Sequence, residues 1–251
     1  MPEYLETFKG DRICLRKREI GTDMRKISFE RNIIKYPAGS CLVSFGDTKV
    51  ICTATLSQEV PPFLKNTGKG WVTAEYAMLP GSTGGGRKRR DGVKKDGRST
   101  EIQRLIGRCL RAAVDLEKLG EVTITIDCDV LQADGGTRTA AISGGWVALY
   151  DALRVLAKEQ GEESPEIYLL GQVAAVSAGK VAGNIICDLD YIADSSAEVD
   201  MNIVMRDDSL VEVQGTGEQG VFSRDELNEL LSSAERGIAA IQAAQREVLG
   251  I

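Results

Sequence analysis

Gln132-Ala133-Asp134-Gly135-Gly136-Thr137-Arg138-Thr139 is the stretch on which the reading of this chain turns. Before it, residues 122–131 alternate: Val122, Ile124, Ile126, Cys128 and Val130 against Thr123, Thr125, Asp127 and Asp129, the period of a half-buried strand. After it, residues 140–156 form an apolar run of helix length. A Gly-Gly turn between strand and helix lets the backbone bend and come close to a ligand. The free N–H groups at the helix start, with the helix dipole, favour an anion there. Thr137 adds a hydroxyl, and Arg138 adds a guanidinium fork that matches phosphate oxygens. The same residues also read as a plain tight turn with a threonine cap and a surface arginine.

Upstream of that turn the chain is mostly β. Strands are expected over 27–34, 41–45, 49–56 and 70–76, with Gly46-Asp47 as a hairpin turn. Residues 81–97 differ in composition. Gly84-Gly85-Gly86 is followed by Arg87-Lys88-Arg89-Arg90 and Lys94-Lys95 with no apolar period, which reads as an exposed basic loop. A helix is expected from a capping box at Thr100-Glu101-Ile102-Gln103, with Ile102, Leu105, Ile106, Cys109, Leu110 and Ala113 on its buried face and Gly120 at its stop. Arg98 lies just ahead of that start.

Downstream, a helix is expected over 138–158. Gly144-Gly145 inside it costs about 1 kcal/mol per glycine relative to alanine, which points to close helix–sheet packing. The polar connection 159–166 is the best internal boundary, dividing the chain into an atypical segment 1–21, an N-terminal lobe 22–158 and a C-terminal lobe 159–251. Two strand pairs (168–178 with 184–192, and 199–205 with 210–214) and a last helix, opened by a Ser223-x-x-Glu226 capping box, complete the chain. Strands grouped apart from helices argue for an α+β fold over a doubly wound sheet.

Composition narrows the chemistry. The chain has 251 residues, no histidine, six cysteines and a formal net charge of −6. Without histidine there is no Ser-His-Asp or Cys-His machinery and no His-ligated metal. The cysteines, at 14, 41, 52, 109, 128 and 187, form no Cys-x-x-Cys pair and read as reduced, buried thiols of a cytoplasmic protein. The N-terminus carries no secretory pattern, and no apolar run reaches membrane-spanning length. The acidic balance argues against wholesale coating by nucleic acid, but the basic cluster after Gly86 can attract a polyanion locally.

A second constellation is acidic. Asp188, Asp190, Asp194, Glu198 and Asp200 fall within a short span. Carboxylates of this kind suit Mg²⁺ or Mn²⁺, and one with a raised pKa could act as a general acid; taken alone, they read more readily as acidic loop residues capping strand ends. Together, a phosphate-type turn, Arg98, a carboxylate cluster and a basic loop, in a chain without histidine, fit phosphoryl transfer, where catalysis is mostly positioning and charge stabilisation.

These words, in this order, resemble the ribonuclease PH family of phosphate-dependent exoribonucleases. The resemblance runs from about Asp23 and rests on Phe45-Gly46-Asp47-Thr48-Lys49-Val50, Gly70-Trp71-Val72-Thr73-Ala74-Glu75-Tyr76, the run 101–108, the run 127–139, the run 194–202 and Val213-Gln214-Gly215-Thr216. It implies a ribosomal-protein-S5-domain-2-like α+β fold with mixed sheets packed against helices and a left-handed crossover. It also implies a homohexameric ring built as a trimer of dimers, and removal of nucleotides beyond the CCA end of tRNA precursors and from other RNA 3′ ends. Inorganic phosphate would be the attacking co-substrate and nucleoside diphosphates the products, with no DNA or membrane partner. By matched position, Arg98, Gly136, Thr137 and Arg138 would hold phosphate, and Asp194 and Asp200 would serve catalysis and bind Mg²⁺ or Mn²⁺.

Two stretches depart from the family pattern. Residues 1–21 are longer than the usual start, and the basic loop keeps its charge but not the usual spacing, so Arg87, Arg89 and Arg90 are expected on RNA backbone by charge alone. A non-catalytic RNA-binding ring subunit of an exosome-like assembly and a hydrolytic two-metal nuclease are the competing readings. Replacing Arg87, Arg89 and Arg90 together should flatten the salt dependence of RNA affinity, measured by titration at several salt concentrations. An unchanged slope would make the loop a solvated linker.

Overall fold

The computed structural model describes residues 24–87 and 97–251. Five strands form the first sheet: β1 (Ile27–Arg31), β2 (Gly39–Phe45), β3 (Thr48–Ser57), β4 (Trp71–Met78) and β5 (Thr123–Gln132), in the order β1-β2-β3-β5-β4. All neighbours are antiparallel except β4 and β5, which run parallel. A parallel pair needs a long crossover. Helices α1 (Gly97–Arg111) and α2 (Leu116–Leu119) provide it, and α1 packs on β4. The second sheet is an antiparallel set, β6 (Val173–Val181), β7 (Asn184–Cys187), β8 (Val199–Arg206) and β9 (Ser209–Gly217), in the order β7-β6-β8-β9.

Helix α3 (Thr137–Gln160) lies between the two sheets, against β2, β3 and β5 on one side and β6 on the other. This explains why its sequence is apolar all round rather than striped: residues 139–153 are buried without a break. Helix α5 (Arg224–Leu249) is amphipathic and lays Leu230, Ala234, Ile238 and Ile241 against β6 and β7. The main core runs through both halves, with a small second cluster of Val181, Leu189, Ala193 and Ala197 beside it, and Cys41, Cys52, Cys109, Cys128 and Cys187 are buried thiols of the main core. Cys14 and the rest of residues 1–21 lie outside the described residues.

The α+β expectation holds, and the Ser223–Glu226 capping box forms reciprocally. Several boundaries move for local reasons. The first strand ends at Arg31, not at residue 34, because Asn32 takes a left-handed conformation (φ 58°). Helix α1 begins at Gly97, so Thr100 sits inside its first turn and not at the N-cap position. Gln103 reaches across to Glu75 instead of back to the helix start. The helix also does not run to Gly120. It ends at Arg111, and Asp115 caps the separate α2, accepting hydrogen bonds from the N–H groups of Glu117 and Lys118. The expected strand from residue 168 begins only at Val173. The one expected to reach residue 192 stops at Cys187, and a short helix α4 (Tyr191–Ser195) follows, capped by Asp190.

Gly144 and Gly145 face β2, β3 and β5 where α3 approaches the first sheet. A Cβ on Gly144 would stand 2.4 Å from Val43 Cγ1 and 3.0 Å from Cys52 Sγ, and one on Gly145 3.2 Å from Ile126 Cγ2. Val43 is a fully buried, stiff β-branched residue that cannot swing aside. Overpacking of this kind costs about 1–3 kcal/mol or more, against a helix-propensity gain of about 1 kcal/mol. Gly144→Ala should therefore lower the Tm, while Gly145→Ala should be milder, as thermal melts of both variants can check.

Candidate functional site

Strand β5 ends at Gln132 and α3 begins at Thr137, so four residues carry the chain from sheet to helix. Gly135 (φ 74°) and Gly136 (φ 64°) are both left-handed. A Cβ on Gly135 would stand 2.4 Å from the Leu189 carbonyl oxygen and 2.6 Å from the Asp190 carbonyl carbon, so the turn lies directly on the backbone of the acidic segment. Glycine is required here for conformation and for space. Thr48, fully buried at the start of β3, donates its hydroxyl to the Gly135 carbonyl (2.6 Å) and accepts from the Asp134 N–H (3.0 Å).

Beneath the turn sits Arg25. Its Nε (2.9 Å) and Nη2 (2.6 Å) fork onto Asp188, whose carboxylate also takes the Arg25 N–H (3.0 Å). Its Nη1 donates to the Asp134 carbonyl (2.5 Å), and its Nη2 to the Leu189 carbonyl (3.3 Å). The Arg25 and Asp188 side chains are 11% and 1% exposed, which makes this a buried bidentate pair. Burial works against the Arg25 charge, but Asp188 more than offsets it and holds the proton more firmly than usual. Asp188 itself is left-handed (φ 60°). Its N–H donates to the Ser177 carbonyl (2.6 Å) and that of Leu189 to the Ser177 hydroxyl (2.9 Å), which fixes the segment against β6.

Above the turn opens a cleft of about 1150 Å³. Thr137 and Arg138, in the first turn of α3, and Arg98, in the first turn of α1, line it on one side; Asp194 from α4 and Asp200 from β8 line it on the other. Gly136, Tyr191 and Arg87 also line it. Arg138 Nη1 is 3.5 Å from Gln214 Oε1, and Tyr76 OH is 2.9 Å from Thr137 Oγ1. Burial pushes the Tyr76 phenol up, so it stays neutral as a hydrogen-bond partner, although Thr137, Arg98 and Arg138 pull the other way.

Both carboxyls are raised. Burial pushes Asp194 up, opposed by Arg98 and Arg138. Asp200 goes further, to about 6, through burial first and then the Asp194 charge. An Asp194 that reaches the surface and a half-buried Asp200 that repel each other are a donor set that a divalent cation would relieve. Among the described residues no group of three His, Cys, Asp or Glu side chains could hold a metal. A cation here would therefore draw its remaining ligands from water and phosphate oxygens, the common habit of Mg²⁺.

Of the residues singled out from sequence, Arg87, Arg98, Gly136, Thr137, Arg138, Asp194 and Asp200 meet in this one cleft. Arg89 and Arg90 lie outside the described residues. Arg25, Thr48 and Tyr76 were not singled out as site residues. No periodicity marks Arg25, whose partner Asp188 is 163 positions away.

Asp200 also makes a stability prediction. A carboxyl raised to about 6 binds more protons folded than unfolded between pH 3.8 and 6. Its contribution is therefore most favourable below that window and is lost as pH rises through it. In metal-free buffer Asp200→Asn should stabilise the protein by about 1–3 kcal/mol above pH 6, with the gain shrinking towards pH 4. Thermal melts across pH check this, and a pH-independent effect would contradict it.

Known proteins resemble this chain over most of its length. The model of the 3′ exoribonuclease family, domain 1, matches residues 23–154, and that of domain 2 matches residues 171–237. Ribonuclease PH of Synechococcus sp. (strain JA-2-3B'a(2-13)) is 55% identical over 233 residues, covering 91% of this chain and 94% of that protein. Ribonuclease PH of Mesorhizobium japonicum is 54% identical over 226 residues, covering 89% and 94%. Among solved structures, rice (Oryza sativa) Rrp46 superposes with a TM-score of 0.72 at 18% identity, covering 90% of this chain and 95% of that one. The Archaeoglobus fulgidus exosome with RNA bound to the active site gives 0.71 at 22%, covering 88% of each. These two share the fold, the S5-domain-2-like arrangement of two sheets and helices. With both domain models matched along most of its length and ribonuclease PH relatives more than half identical, this chain belongs to the ribonuclease PH family of 3′ exoribonucleases.

Proposed function

We propose that the cleft between α1, α3 and the acidic segment is where this phosphorolytic 3′→5′ exoribonuclease works. Inorganic phosphate is its co-substrate and nucleoside diphosphates are its products. The observation that carries the assignment is the convergence of a Gly135-Gly136 turn at a helix start, two arginines from separate helices and two raised carboxyls.

The attacking phosphate sits at the start of α3, on the backbone N–H groups beyond Gly136, the Thr137 hydroxyl and the Arg138 and Arg98 guanidiniums. That cradle combines a helix N-terminus with fixed positive charge. An oxygen of the bound phosphate forms a bond to the phosphorus of the last phosphodiester. The bond to the 3′-oxygen of the preceding nucleotide breaks, and that oxygen takes up a proton as the terminal nucleotide leaves as a diphosphate. No histidine is available, so the proton comes from the attacking phosphate itself. Asp194 and Asp200 would hold Mg²⁺ or Mn²⁺, which when bound would draw charge from the phosphate oxygens. Arg98 and Arg138 stabilise the charge that builds on the equatorial oxygens in line with them.

The RNA is the extended 3′ end of a tRNA precursor, led to the cleft by the basic stretch that begins at Arg87. The working particle is a homohexameric ring. No helix among the described residues is long and apolar enough to cross a membrane, in keeping with a cytoplasmic enzyme. A ring subunit that binds RNA without cleaving it would have no use for paired arginines facing paired carboxyls across an open cleft.

Purified protein, Mg²⁺ and a tRNA with a labelled 3′ extension test the reading. Diphosphates should appear only when inorganic phosphate is present. Arg138→Ala should cut that release by about 10²-fold or more, as loss of one transition-state donor does, while RNA affinity stays near wild type. Monophosphates formed without phosphate would mean hydrolysis, and equal loss of RNA binding would mean that Arg138 holds RNA.

A further inference from the structure

We propose that Arg25 is a positioning residue for phosphorolysis: its buried guanidinium sets the phosphate-binding turn and the acidic helix in register with each other. The inference rests on the assignment of the Gly136–Arg138 turn to phosphate.

The turn has few ties of its own. The β5 ladder ends at Gln132, and the first α3 hydrogen bond is from Ala140 N–H to the Gly136 carbonyl (3.0 Å). Between them, Ala133 N–H donates to the Ser82 carbonyl (2.8 Å), and Thr48 and Arg25 hold Asp134 and Gly135. Two successive left-handed glycines offer little stiffness, so the outward aim of the next N–H groups depends on these contacts. Arg25 Nη2 lies 3.2 Å from the point where a Gly136 Cβ would stand, directly under the helix start.

The other arms of the same guanidinium grip Asp188 and the Leu189 carbonyl. The next residue, Asp190, caps α4 through the Ala193 N–H (2.8 Å), and α4 carries Asp194. One planar group therefore ties the arginine side of the cleft to the carboxylate side, joined by a longer bond from the Tyr191 N–H to Asp134 Oδ1 (3.4 Å) and by the contact of Gly135 with the Leu189–Asp190 backbone. It does so without touching substrate, since both turn and segment lie over it. Lysine would keep the charge but supply no fork to bridge Asp188 and Asp134 together.

The test is a KM-against-kcat comparison of wild type, Arg25→Lys and Thr48→Val, with phosphate and RNA varied separately. Inorganic phosphate alone, read as a shift in Tm, serves as a measure independent of turnover. Displacement of the cradle by even an ångström should raise the KM for phosphate at least about tenfold, abolish the phosphate-induced Tm shift, and leave the KM for RNA within about threefold. Arg25→Lys with an unchanged phosphate KM and a kcat that falls only with the folded fraction would reduce Arg25 to a structural residue and overturn the proposal. An equal rise in both KM values would overturn it too. Should Arg25→Lys not fold, Thr48→Val, which removes one hydroxyl from the same turn and unpairs no charge, must show the phosphate effect, or the proposal fails. Wild type that releases no diphosphates yet keeps a phosphate-induced Tm shift lost in the variants would overturn the phosphorolysis assignment and leave the positioning role standing. Wild type with neither would overturn both.

Discussion

The cleft depends on one buried ion pair. Arg25, just ahead of β1, and Asp188, just after β7, meet in a bidentate contact almost sealed from water. Burying both charges is expensive, and a pair of this kind holds only where every polar atom has a partner. Here the spare guanidinium N–H groups are spent on the Asp134 and Leu189 carbonyls and the carboxylate takes a backbone N–H as well. The consequence is directional. The ion pair specifies where one half of the chain lies against the other at the point where their loops form the cleft.

The rest of the architecture brings those loops together. Helix α3 is buried between the sheets, and its glycines let it lie close enough to β2 and β3 for its first turn to emerge beside the acidic segment. Its N-terminus is the anchored end of a long, rigid, fully packed element, a better platform for ligand-facing N–H groups than an exposed helix. Arg98 enters from a separate helix, so the positive side of the cleft is assembled across the β4–β5 crossover. On the opposing side, the partial burial that raises Asp200 is an environment in which charge on a phosphate is felt more strongly than in open solvent.

Much of this was legible in the sequence because it is local. The alternation of residues 122–131, the Gly-Gly turn and the apolar run after it specify a strand, a bend and a buried helix through side-chain period and backbone freedom alone. The Ser223–Glu226 box likewise marked its helix start. Where local signals misled, a longer-range contact or a competing local one had intervened: Gln103, suited to a capping box, bonds Glu75 on a neighbouring strand, and Asp190, read as part of a strand, caps α4 instead.

Residue types and short spacings determined the α+β class and the absence of histidine chemistry and offered the Gly-Gly turn, Arg98 and a five-carboxylate cluster as candidates, while the resemblance to the ribonuclease PH family singled out Asp194 and Asp200. Only the tertiary structure decided that Arg98, Arg138, Asp194 and Asp200 face one cleft, that Asp200 is pushed up to about 6, and that Arg25 and Thr48 hold the turn. The physical reason is range. Periodicity and capping act over a few residues, whereas burial, charge coupling and a hydrogen-bonded fork depend on which distant segments the packed core brings within a few ångströms.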